Sequence, residues 1–447
     1  TGSVSVFDAD TNEVLGTINI PTAVSGLGDA VITSDQTRAF VSGIDTQFIY
    51  VIDLTTSPPS LAGGTNPITL SHNGLDLALS ADDKFLLVAG GAQSPNPISV
   101  IDLATLAEVS TFSTGAYANA IDVCEDGLVL VTSPTLGEVS LFRMDVTGSV
   151  VNVVQQPFIG YPINVYCAPG SKSGVAVDGL GSVQSFALPG LTQVGIATLS
   201  TASGQSGGIN AAGDRVYIRS DPFLAVGTID AFAFDSTTGA IAVSPLFTIP
   251  IQGQWQINGV DQLAISPDGS KLFVVQPSAV NVYDAGNGTL LSTITDPNIV
   301  DPAGVAIAHP RLAPFSKFTA KVEINTQTAK IEGNFTLGQN NNGINPSMEG
   351  VTFQVGPVSK TIPPGSFKVN PGTGGFTFKG AISGNKVNVT IQPTRILGQF
   401  RYLVEVVGID LTTIPLQVNV SLTIGNDGGN SIAANKSLLD TTYEVRP

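Results

Sequence analysis

The strongest constraint on the fold of this sequence is a segment of about fifteen residues that recurs along most of the chain. Each copy places two β-rich runs on either side of a short turn, as in ISVIDLATLAEVSTF at Ile98–Phe112. The seven copies start at Val4, Ile49, Ile98, Val139, Val183, Ile229 and Val280. A repeat of this length predicts a propeller or a solenoid.

A second pair of apolar runs separates successive copies, and it is clearest in DQLAISPDGSKLFVV at Asp261–Val275. Its turns are rich in Asp and Gly, because Gly supplies positive φ and Asp bonds its own backbone. Each unit therefore holds four antiparallel strands in about 45 residues. A sheet of this size buries both faces only against its neighbours, and a closed ring removes most of its edges. We predict an all-β fold with a seven-bladed β-propeller.

The two ends of the repeat region predict how the ring closes. The hairpin Val4–Ile20 has no inner pair of strands before it, and GVAIAH at Gly304–His309 reads as an inner strand with no hairpin after it. We expect a propeller over residues 1–313, closed by the N-terminal hairpin and residues 303–309. Its closing blade lacks the second strand from the axis. Three outcomes are open: the strand precedes Thr1, which we favour, the blade has three strands, or another chain supplies the strand.

The repeat stops near Arg311, and the pattern changes to longer strands in strict alternation. Leu416–Ile424 places apolar residues on one face and polar residues on the other, and Lys386–Ile391 and Phe400–Val406 do the same. Such a period of two marks strands with one solvated face. We predict that residues 314–447 form a β-sandwich domain of immunoglobulin-like architecture.

Composition limits the partners of the chain. The net charge is −16 with only 19 Lys and Arg, so a nucleic-acid interface, which needs clustered cations, is not expected. No apolar run approaches the roughly 20 residues of a membrane helix, and we expect no membrane insertion. The acidic composition, with only 12% charged residues, and a chain that opens directly in a strand favour an exported protein whose leader has been removed.

The repeats VIDLATLAEVSTF, AISPDGSKLFVV and VYDAGNGTLLSTI resemble the YVTN-type β-propeller repeat. The resemblance covers about two-thirds of the chain. It implies an exported or surface protein of the bacterial or archaeal kind, and the repeats are also similar to those of lactonase-like propellers. The copy FALP at Phe186–Pro189 departs from the pattern, since it lacks the Asp that usually follows this strand. The C-terminal part resembles an accessory domain of large secreted bacterial proteins.

The two cysteines fall at equivalent places on adjacent blades when the inner strands are aligned on their turns. The aligned positions, one per blade, are Thr33, Ser80, Cys124, Cys167, Asn210, Ser266 and His309. A Cys124–Cys167 disulfide is therefore plausible in an exported protein if the two Cα atoms lie about 4.4–6.8 Å apart. A metal site of both cysteines and His309 is the alternative, but that histidine is three blades away from Cys167 and a structural zinc needs four close ligands.

Aromatic residues mark the end of the propeller where the inter-blade connections meet. Tyr117, Tyr161 and Trp255 lie in these segments and are candidates to stack on a sugar or a peptide, although aromatic residues also pack loops together. We assign no catalytic, cofactor-binding or metal-binding residues. A calcium ion at Asn426–Gly429 is conceivable, although the segment is not an EF-hand loop.

Two functions remain open. The first, which we prefer, is a secreted or cell-surface structural and binding protein, in one form part of an extracellular filament or surface layer. Its propeller would be an interaction platform for a protein or a glycan, and its sandwich a spacer or assembly module. It could also self-assemble through the incomplete closing blade. The alternative is a lactonase-like propeller hydrolase of a small cyclic ester, with Asp221, Asp261 and Asp301 among the few acidic candidates.

Overall fold

The computed structural model describes residues 2–23, 25–90, 97–114, 117–158, 160–221, 226–253, 260–308, 313–324, 327–338, 344–347, 350–355, 358–363, 365–382, 384–408, 417–424, 427–434 and 442–444. Over these ranges every element of regular secondary structure is a β-strand. The chain divides into two compact units, Thr1–His309 and Pro310–Pro447. The boundary expected from the sequence lies slightly later, between residues 313 and 314.

The strands of the N-terminal unit, in chain order, are β1 (Gly2–Phe7), β2 (Val14–Ile20), β3 (Leu27–Ile32), β4 (Arg38–Gly43), β5 (Phe48–Asp53), β6 (Ser60–Leu61), β7 (Ile68–Thr69), β8 (Asp76–Leu79), β9 (Phe85–Ala89), β10 (Ile98–Asp102), β11 (Ala107–Phe112), β12 (Ile121–Val123), β13 (Leu128–Ser133), β14 (Glu138–Met144), β15 (Val150–Pro157), β16 (Pro162–Cys167), β17 (Ser173–Asp178), β18 (Ser182–Ala187), β19 (Thr192–Thr198), β20 (Gly204–Ile209), β21 (Arg215–Ser220), β22 (Val226–Asp235), β23 (Ala240–Ile241), β24 (Phe247–Gln252), β25 (Leu263–Ile265), β26 (Lys271–Gln276), β27 (Ala279–Asp284) and β28 (Leu290–Ile294).

These strands form six antiparallel sheets with four strand positions each, and a separate hairpin of β1 and β2. The sheets are β3–β7, β8–β11, β12–β15, β16–β19, β20–β24 and β25–β28. In two of them the outer position is divided between two strands, because β6 and β7 both pair with β5, and β23 and β24 both pair with β22. The six sheets and the hairpin are the seven blades that the repeat predicts.

The blades follow one another around an axis, since the innermost strands β3, β8, β12, β16, β20 and β25 contact each other in that order. The hairpin lies between the last blade and the first. On one side the rings of Phe7 and Phe273 lie 5.6 Å apart, and Lys271 Nζ donates to the carbonyl of Ala9 at 2.8 Å. On the other side Gly2 lies so close to Leu27 that a Cβ at residue 2 would come within 2.6 Å of its Cγ.

Separate hydrophobic clusters fill the spaces between adjacent sheets. Leu87 and Val100 of one blade, for example, pack in a single cluster with Val129 and Phe142 of the next. Burying an aliphatic or aromatic side chain of this size stabilises a fold by roughly 1.5–3 kcal/mol. The blades are therefore held by their neighbours, as expected for sheets that are too thin to bury both faces alone.

The closing blade differs from the expectation. Gly304–Ala308 forms no strand, and within the described residues it makes no hydrogen bond to β1, while His309 lies outside them. Val305 instead donates its N–H to the carbonyl of Asp261 at 2.8 Å, and it packs in one cluster with Phe7. The segment thus lies beside the inner strand of the last blade without a pairing partner. Among the described residues, no strand lies between this segment and β1.

The strands of the C-terminal unit are β29 (Ala313–Pro314), β30 (Lys317–Ile324), β31 (Thr328–Thr336), β32 (Val351–Val355), β33 (Val358–Ile362), β34 (Lys368–Asn370), β35 (Gly375–Ile382), β36 (Asn385–Pro393), β37 (Gln399–Val407), β38 (Gln417–Ile424), β39 (Asp427–Ala434) and β40 (Thr442–Glu444). The alternation expected for Lys386–Ile391 and Phe400–Val406 is confirmed within β36 and β37, and that expected for Leu416–Ile424 is confirmed over Gln417–Ile424 as β38, while Leu416 lies outside the described residues. Their apolar faces meet in one core, which includes Val389, Val404 and Leu422.

The immunoglobulin-like sandwich of two sheets is not confirmed for this unit. Its strands form one twelve-stranded sheet in the order β33-β32-β38-β39-β40-β30-β31-β37-β36-β35-β34, with β29 beside β39. The short strand β40 pairs with β30 and also with β39, so hydrogen bonds continue across the point where two sheets would separate. In the described part of the chain, no helix is long and apolar enough to cross a membrane.

Candidate functional site at the propeller axis

The innermost strands carry buried or half-buried polar side chains where an apolar strand would be expected. Asp29 lies on β3, Asp76 on β8 and Asp122 on β12, Tyr166 lies on β16, and Asp261 shortly precedes β25. Asp29 and Asp76 are less than 5% exposed. Because a polar group loses its hydration on burial, each of these side chains needs a partner inside the fold.

The partners lie on the next blade. The Leu77 N–H donates to Asp29 Oδ2 at 3.1 Å, and the Ile121 N–H donates to Asp76 Oδ2 at 2.6 Å. The same contact recurs from Cys167 N to Asp122 Oδ2 at 2.7 Å, from Gly207 N to the Tyr166 hydroxyl at 2.7 Å and from Gln262 N to Ser206 Oγ at 3.2 Å. In five successive blades, one acceptor thus binds a backbone N–H on the inner strand of the following blade or, for Gln262, just before it. We call this series the axial ladder.

Asp261 joins two blades that are not neighbours. Its Oδ1 accepts a hydrogen bond from the Tyr166 hydroxyl at 2.6 Å and one from Asn164 Nδ2 at 3.2 Å, both on β16. Inner strands two blades apart are thereby connected across the axis. A short hydrogen bond from a phenol to a carboxyl group is one of the stronger hydrogen bonds in a protein interior.

Burial raises the pKa values of these acids. The pKa of Asp29 rises to about 6 and that of Asp261 to about 8, in both cases mainly because the charged form loses its hydration. The pKa of Asp76 lies well above its ordinary value for the same reason, and the nearby charges of Asp29 and Asp261 raise it further. The interaction between the two carboxyl groups lowers the pKa of Asp29 and raises that of Asp76. The cluster therefore holds protons near neutral pH.

The disulfide predicted from the alignment is present at the end of the same strands. Cys124 and Cys167 are bonded with a Cα–Cα distance of 5.4 Å, and the chain has no free cysteine. The bond joins the blades of β12 and β16, which the Asp122 contact also joins. Both sulfur atoms belong to the disulfide, so neither thiol is available for the alternative metal site with His309. That histidine lies outside the described residues.

Comparison with known proteins agrees with this architecture. No family model matches the chain. The seven-bladed beta-propeller protein Rv1057 of Mycobacterium tuberculosis is 33% identical over 130 residues, which is 28% of each chain. A functionally unknown protein of Desulfotomaculum acetoxidans superimposes with a TM-score of 0.58 at 19% identity, over 69% of this chain and 96% of its own. This chain contains a β-propeller.

A second structural neighbour of the propeller is Kuenenia stuttgartiensis hydrazine synthase, with a TM-score of 0.51 at 14% identity over 66% of this chain and 91% of the other. At such identities the similarity concerns the fold alone. The match to the mycobacterial protein spans little more than a quarter of that protein's length. A propeller is suited to a binding or platform role, because a rigid ring presents the loops of all its blades at one end.

The aromatic candidates at that end of the propeller are only partly described. Tyr161 is 39% exposed, and its N–H donates to Asp178 Oδ1 at 2.8 Å. Tyr117 is half-buried, and Trp255 lies outside the described residues. No ring contact links the two tyrosines in the described part of the propeller. Whether these side chains form one binding surface stays a prediction.

The acidic candidates of the hydrolase alternative lie in three different settings. Asp261 belongs to the axial cluster. Asp221 is fully buried and forms an ion pair with Arg219, with 3.0 Å between Oδ2 and Nη2. Asp301 is exposed in the connection after β28. Asn426 of the conceivable calcium segment lies outside the described residues, and within those residues no group of three or more His, Cys, Asp or Glu is arranged to hold a metal ion.

The propeller does bring a serine, a histidine and a glutamate together on its surface. Ser71 Oγ lies 2.7 Å from His72 Nδ1 and 2.8 Å from Glu108 Oε1. In a catalytic triad the acid orients the histidine and the histidine contacts the serine. Here Glu108 contacts the Ser71 hydroxyl, the Ser71 N–H and Ser99 Oγ. The glutamate therefore positions a connection between two blades, and the trio does not have the geometry of a proton relay.

Reasoning from the sequence missed the axial ladder. Asp29, Asp76 and Asp122 each follow or precede apolar residues in the short inner runs GDAV, LDLAL and AIDV. An acidic residue repeated at the centre of apolar strands was the available signal, since it requires a buried partner. Asp29 and Asp76 each stand four residues before the aligned positions Thr33 and Ser80, but Asp122 stands two before Cys124, so the alignment on the turns brings only two of the three into one column.

Proposed function

We propose that this chain is an exported or cell-surface structural and binding protein, whose propeller is a rigid platform for a protein or glycan partner. In this proposal the C-terminal unit acts as a spacer or assembly module. The repeats resemble the YVTN type, which supports a surface location. An extracellular filament or surface layer is the concrete form that we favour.

The observation that carries the proposal is the disulfide between Cys124 and Cys167. Disulfides persist in oxidising compartments and are rare where glutathione and thioredoxin keep thiols reduced. Here both cysteines of the chain form one disulfide, which links adjacent blades. Together with the axial ladder, it makes the ring stiff at its centre. A stiff ring is what a platform requires, because the loops then keep their relative positions when a partner binds.

The test is to locate the native protein in the cells that produce it and to count its free thiols. We expect it in the extracellular or surface-washed fraction. After denaturation without reductant, iodoacetamide should modify neither Cys124 nor Cys167, and after reduction it should modify both. Recovery from the cytosolic fraction with two reactive thiols would overturn the proposal. Electron microscopy of the extracellular fraction then tests the filament form, which single particles alone would contradict.

A further inference from the structure

The hairpin between β36 and β37 holds two apolar side chains in solvent at its tip, residues 394–398. Ile396 is 61% exposed and Leu397 is 99% exposed. The Thr394 N–H donates to the carbonyl of Gln399 at 2.9 Å, and the Gln399 N–H donates to that of Ile396 at 3.1 Å. These bonds fix the backbone that carries both side chains. Adjacent apolar side chains that a fixed turn presents to solvent indicate an interaction surface.

The hairpin tip is also basic. Arg395 precedes Ile396 in the turn, Arg401 follows on β37, and both arginines are exposed. Among the described residues, the ion pairs of the C-terminal unit lie on β30 and β31 and include neither arginine. No Asp or Glu occurs between Ile391 and Arg401. A partner that fits the tip therefore combines an apolar surface with negative charge.

The two units of the chain carry net charges of opposite sign. Residues 1–309 contain 27 Asp and Glu and only 7 Lys and Arg, which gives a net charge of −20. Residues 310–447 contain 8 Asp and Glu and 12 Lys and Arg, which gives a net charge of +4. Charge therefore favours contact between unlike units of two copies and disfavours contact between two propellers. A second copy of this chain thus offers the acidic partner that the tip requires.

The exposed basic residues of the propeller all lie at one of its two ends. We call the end where the inter-blade connections meet the loop end. At the opposite end, basic residues stand beside the hairpin turns, as Arg38 does opposite Asp53 and Lys271 opposite Asp284. The residues at that opposite end are Arg38, Lys84, Arg143, Lys172, Arg215 and Lys271. The seventh basic residue, Arg219, is completely buried. The loop end instead carries accessible acids, namely Asp45, Glu138, Asp296 and Asp301.

An apolar patch lies on the loop end where the blade of β12–β15 meets the blade of β16–β19. The Gly179 N–H donates to the carbonyl of Tyr161 at 2.9 Å. The Phe158 N–H, from the same connection between the blades, donates to the carbonyl of Gly137 at 2.7 Å. The leucines next to these two glycines are therefore held near Tyr161. The loop-end patch consists of Leu136, which is 50% exposed, Tyr161, which is 39% exposed, and Leu180, which is 72% exposed.

We propose that the hairpin tip of one copy of this chain docks on the loop-end patch of a second copy. The apolar side chains of the tip would cover those of the patch, and its arginines would face the acids of the loop end. The inference rests on the proposed assembly role and names the contact. Because tip and patch are different surfaces, each bound pair keeps one free tip and one free patch, so association continues beyond a dimer.

Sedimentation velocity of the purified full chain, over about 1–100 μM, tests whether copies associate. We expect the sedimentation coefficient to increase with concentration beyond that of a dimer. Association should be weaker in about 0.5 M than in about 0.05 M NaCl, because salt screens the opposite charges. A chain that stays monomeric at every concentration and salt level would overturn the proposal.

Single variants identify the tip as one side of the contact. Leu397→Ser removes the most exposed apolar side chain of the tip without changing the charge, and it should weaken association at least about tenfold. Val407→Ser lies at the other end of β37, where the side chain is 43% exposed, and is the matched control. It should associate like the wild type. Equal association of both variants would show that the tip is not the contact.

A mixture of two variants identifies the patch as the other side. Leu180→Ser should be monomeric by itself, as Leu397→Ser should be. In an equimolar mixture, the intact tip of the first variant fits the intact patch of the second, so we expect a discrete dimer and no larger species. If Leu180→Ser associates like the wild type, the tip does not dock on the loop end and the proposal is wrong. Circular dichroism melts establish that the variants are folded, and Leu136→Ser and Ile396→Ser serve if the first pair is not.

The result is distinguishable from that of the fractionation and thiol experiment. Extracellular protein with an intact disulfide whose purified chain stays monomeric would leave the platform role standing and overturn the contact between copies. Flotation with vesicles of phosphatidylcholine and phosphatidylglycerol tests the other surface that an apolar, basic tip could meet. If the chain is monomeric and floats with these vesicles, and Leu397→Ser does not float, the tip contacts a membrane and the proposal is wrong.

Discussion

At the scale of single residues, Arg219 is the largest completely buried side chain among the described residues of the propeller. Its Nη1 donates to the carbonyl of Val275 at 2.8 Å and its Nη2 to Asp221 Oδ2 at 3.0 Å, so the guanidinium ties β21 to β26 of the next blade. Its Nε has no hydrogen-bond partner within the described part of the chain. Burial lowers the pKa of Arg219, and the contact with Asp221 opposes that effect. Each charge of the pair thus offsets the cost of burying the other.

Removing one member of this pair should cost more stability than removing both. Arg219→Met leaves the Asp221 carboxylate buried without its partner and should lower the free energy of unfolding by about 3–5 kcal/mol. The double variant with Asp221→Leu removes both charges and should recover most of that loss. Urea unfolding followed by fluorescence measures both values. A double variant as unstable as the single one would contradict this account, since it would assign the loss to packing alone.

At the scale of elements, the axial ladder shows why each inner strand stays in place. Three strands of the series are short, with four residues in β8 and three in β12 and β25. Strands of this length can form only a few backbone hydrogen bonds within their own sheets. Acceptors such as Asp76 on the preceding blade supply bonds that the sheet does not. The polar groups at the axis thus replace the hydrogen bonds that short strands lack.

The axial acids predict that stability falls as pH rises through the neutral range. Between an unfolded pKa of 3.8 and the folded pKa of about 6 for Asp29 or about 8 for Asp261, the native state keeps a proton that the unfolded chain has released. The free energy of unfolding should then decrease by about 1.4 kcal/mol per pH unit for each such group. This stabilisation is complete below the unfolded pKa and is lost as pH rises through the folded pKa.

The measurement is urea unfolding at intervals from pH 4 to pH 9, with Asp261→Asn as the comparison. The variant cannot titrate at this position but keeps an acceptor for the Tyr166 hydroxyl, so its slope between pH 6 and pH 8 should be flatter than that of the wild type. Turn carboxylates such as Asp8 and Asp102 have lowered pKa values because they accept backbone N–H bonds, and they lose their contribution only at acid pH. Parallel slopes of the two proteins would show that Asp261 is ionised in the fold.

At the scale of the whole molecule, the chain is two units with separate hydrophobic cores. The propeller core consists of clusters between blades, such as the one that contains Phe142, and the C-terminal core surrounds Phe335 and Phe353. A unit that has its own core can fold as a separate domain. Calorimetry of the full chain should therefore show two unfolding transitions.

The matched test of this division is a shortened chain of residues 1–313. It should keep one of the two transitions at the temperature seen in the full chain, and lose the other. A single transition in the full chain that moves when the C-terminal unit is removed would instead show that the two units unfold as one cooperative system.

Much of the propeller could be predicted because its information is local. Each hairpin carries its own turn residues and its own alternation, and the repeat adds the count of seven. The disulfide could be predicted as well, since the turns place Cys124 and Cys167 at equivalent positions of neighbouring blades. The same alignment failed for the axial ladder, because Asp29 and Asp122 occupy different registers and their partners are backbone groups of the next blade.

The sequence by itself determined that the chain is all-β, that it repeats four-stranded units and where the regular repeat ends, because turn chemistry and side-chain alternation act over a few residues. Only the tertiary structure decided which polar groups meet at the axis and how β40 joins the C-terminal strands into one sheet. These features depend on groups far apart in the chain. Hydrogen bonds and buried charges respond to distances of tenths of an ångström, which no local pattern specifies.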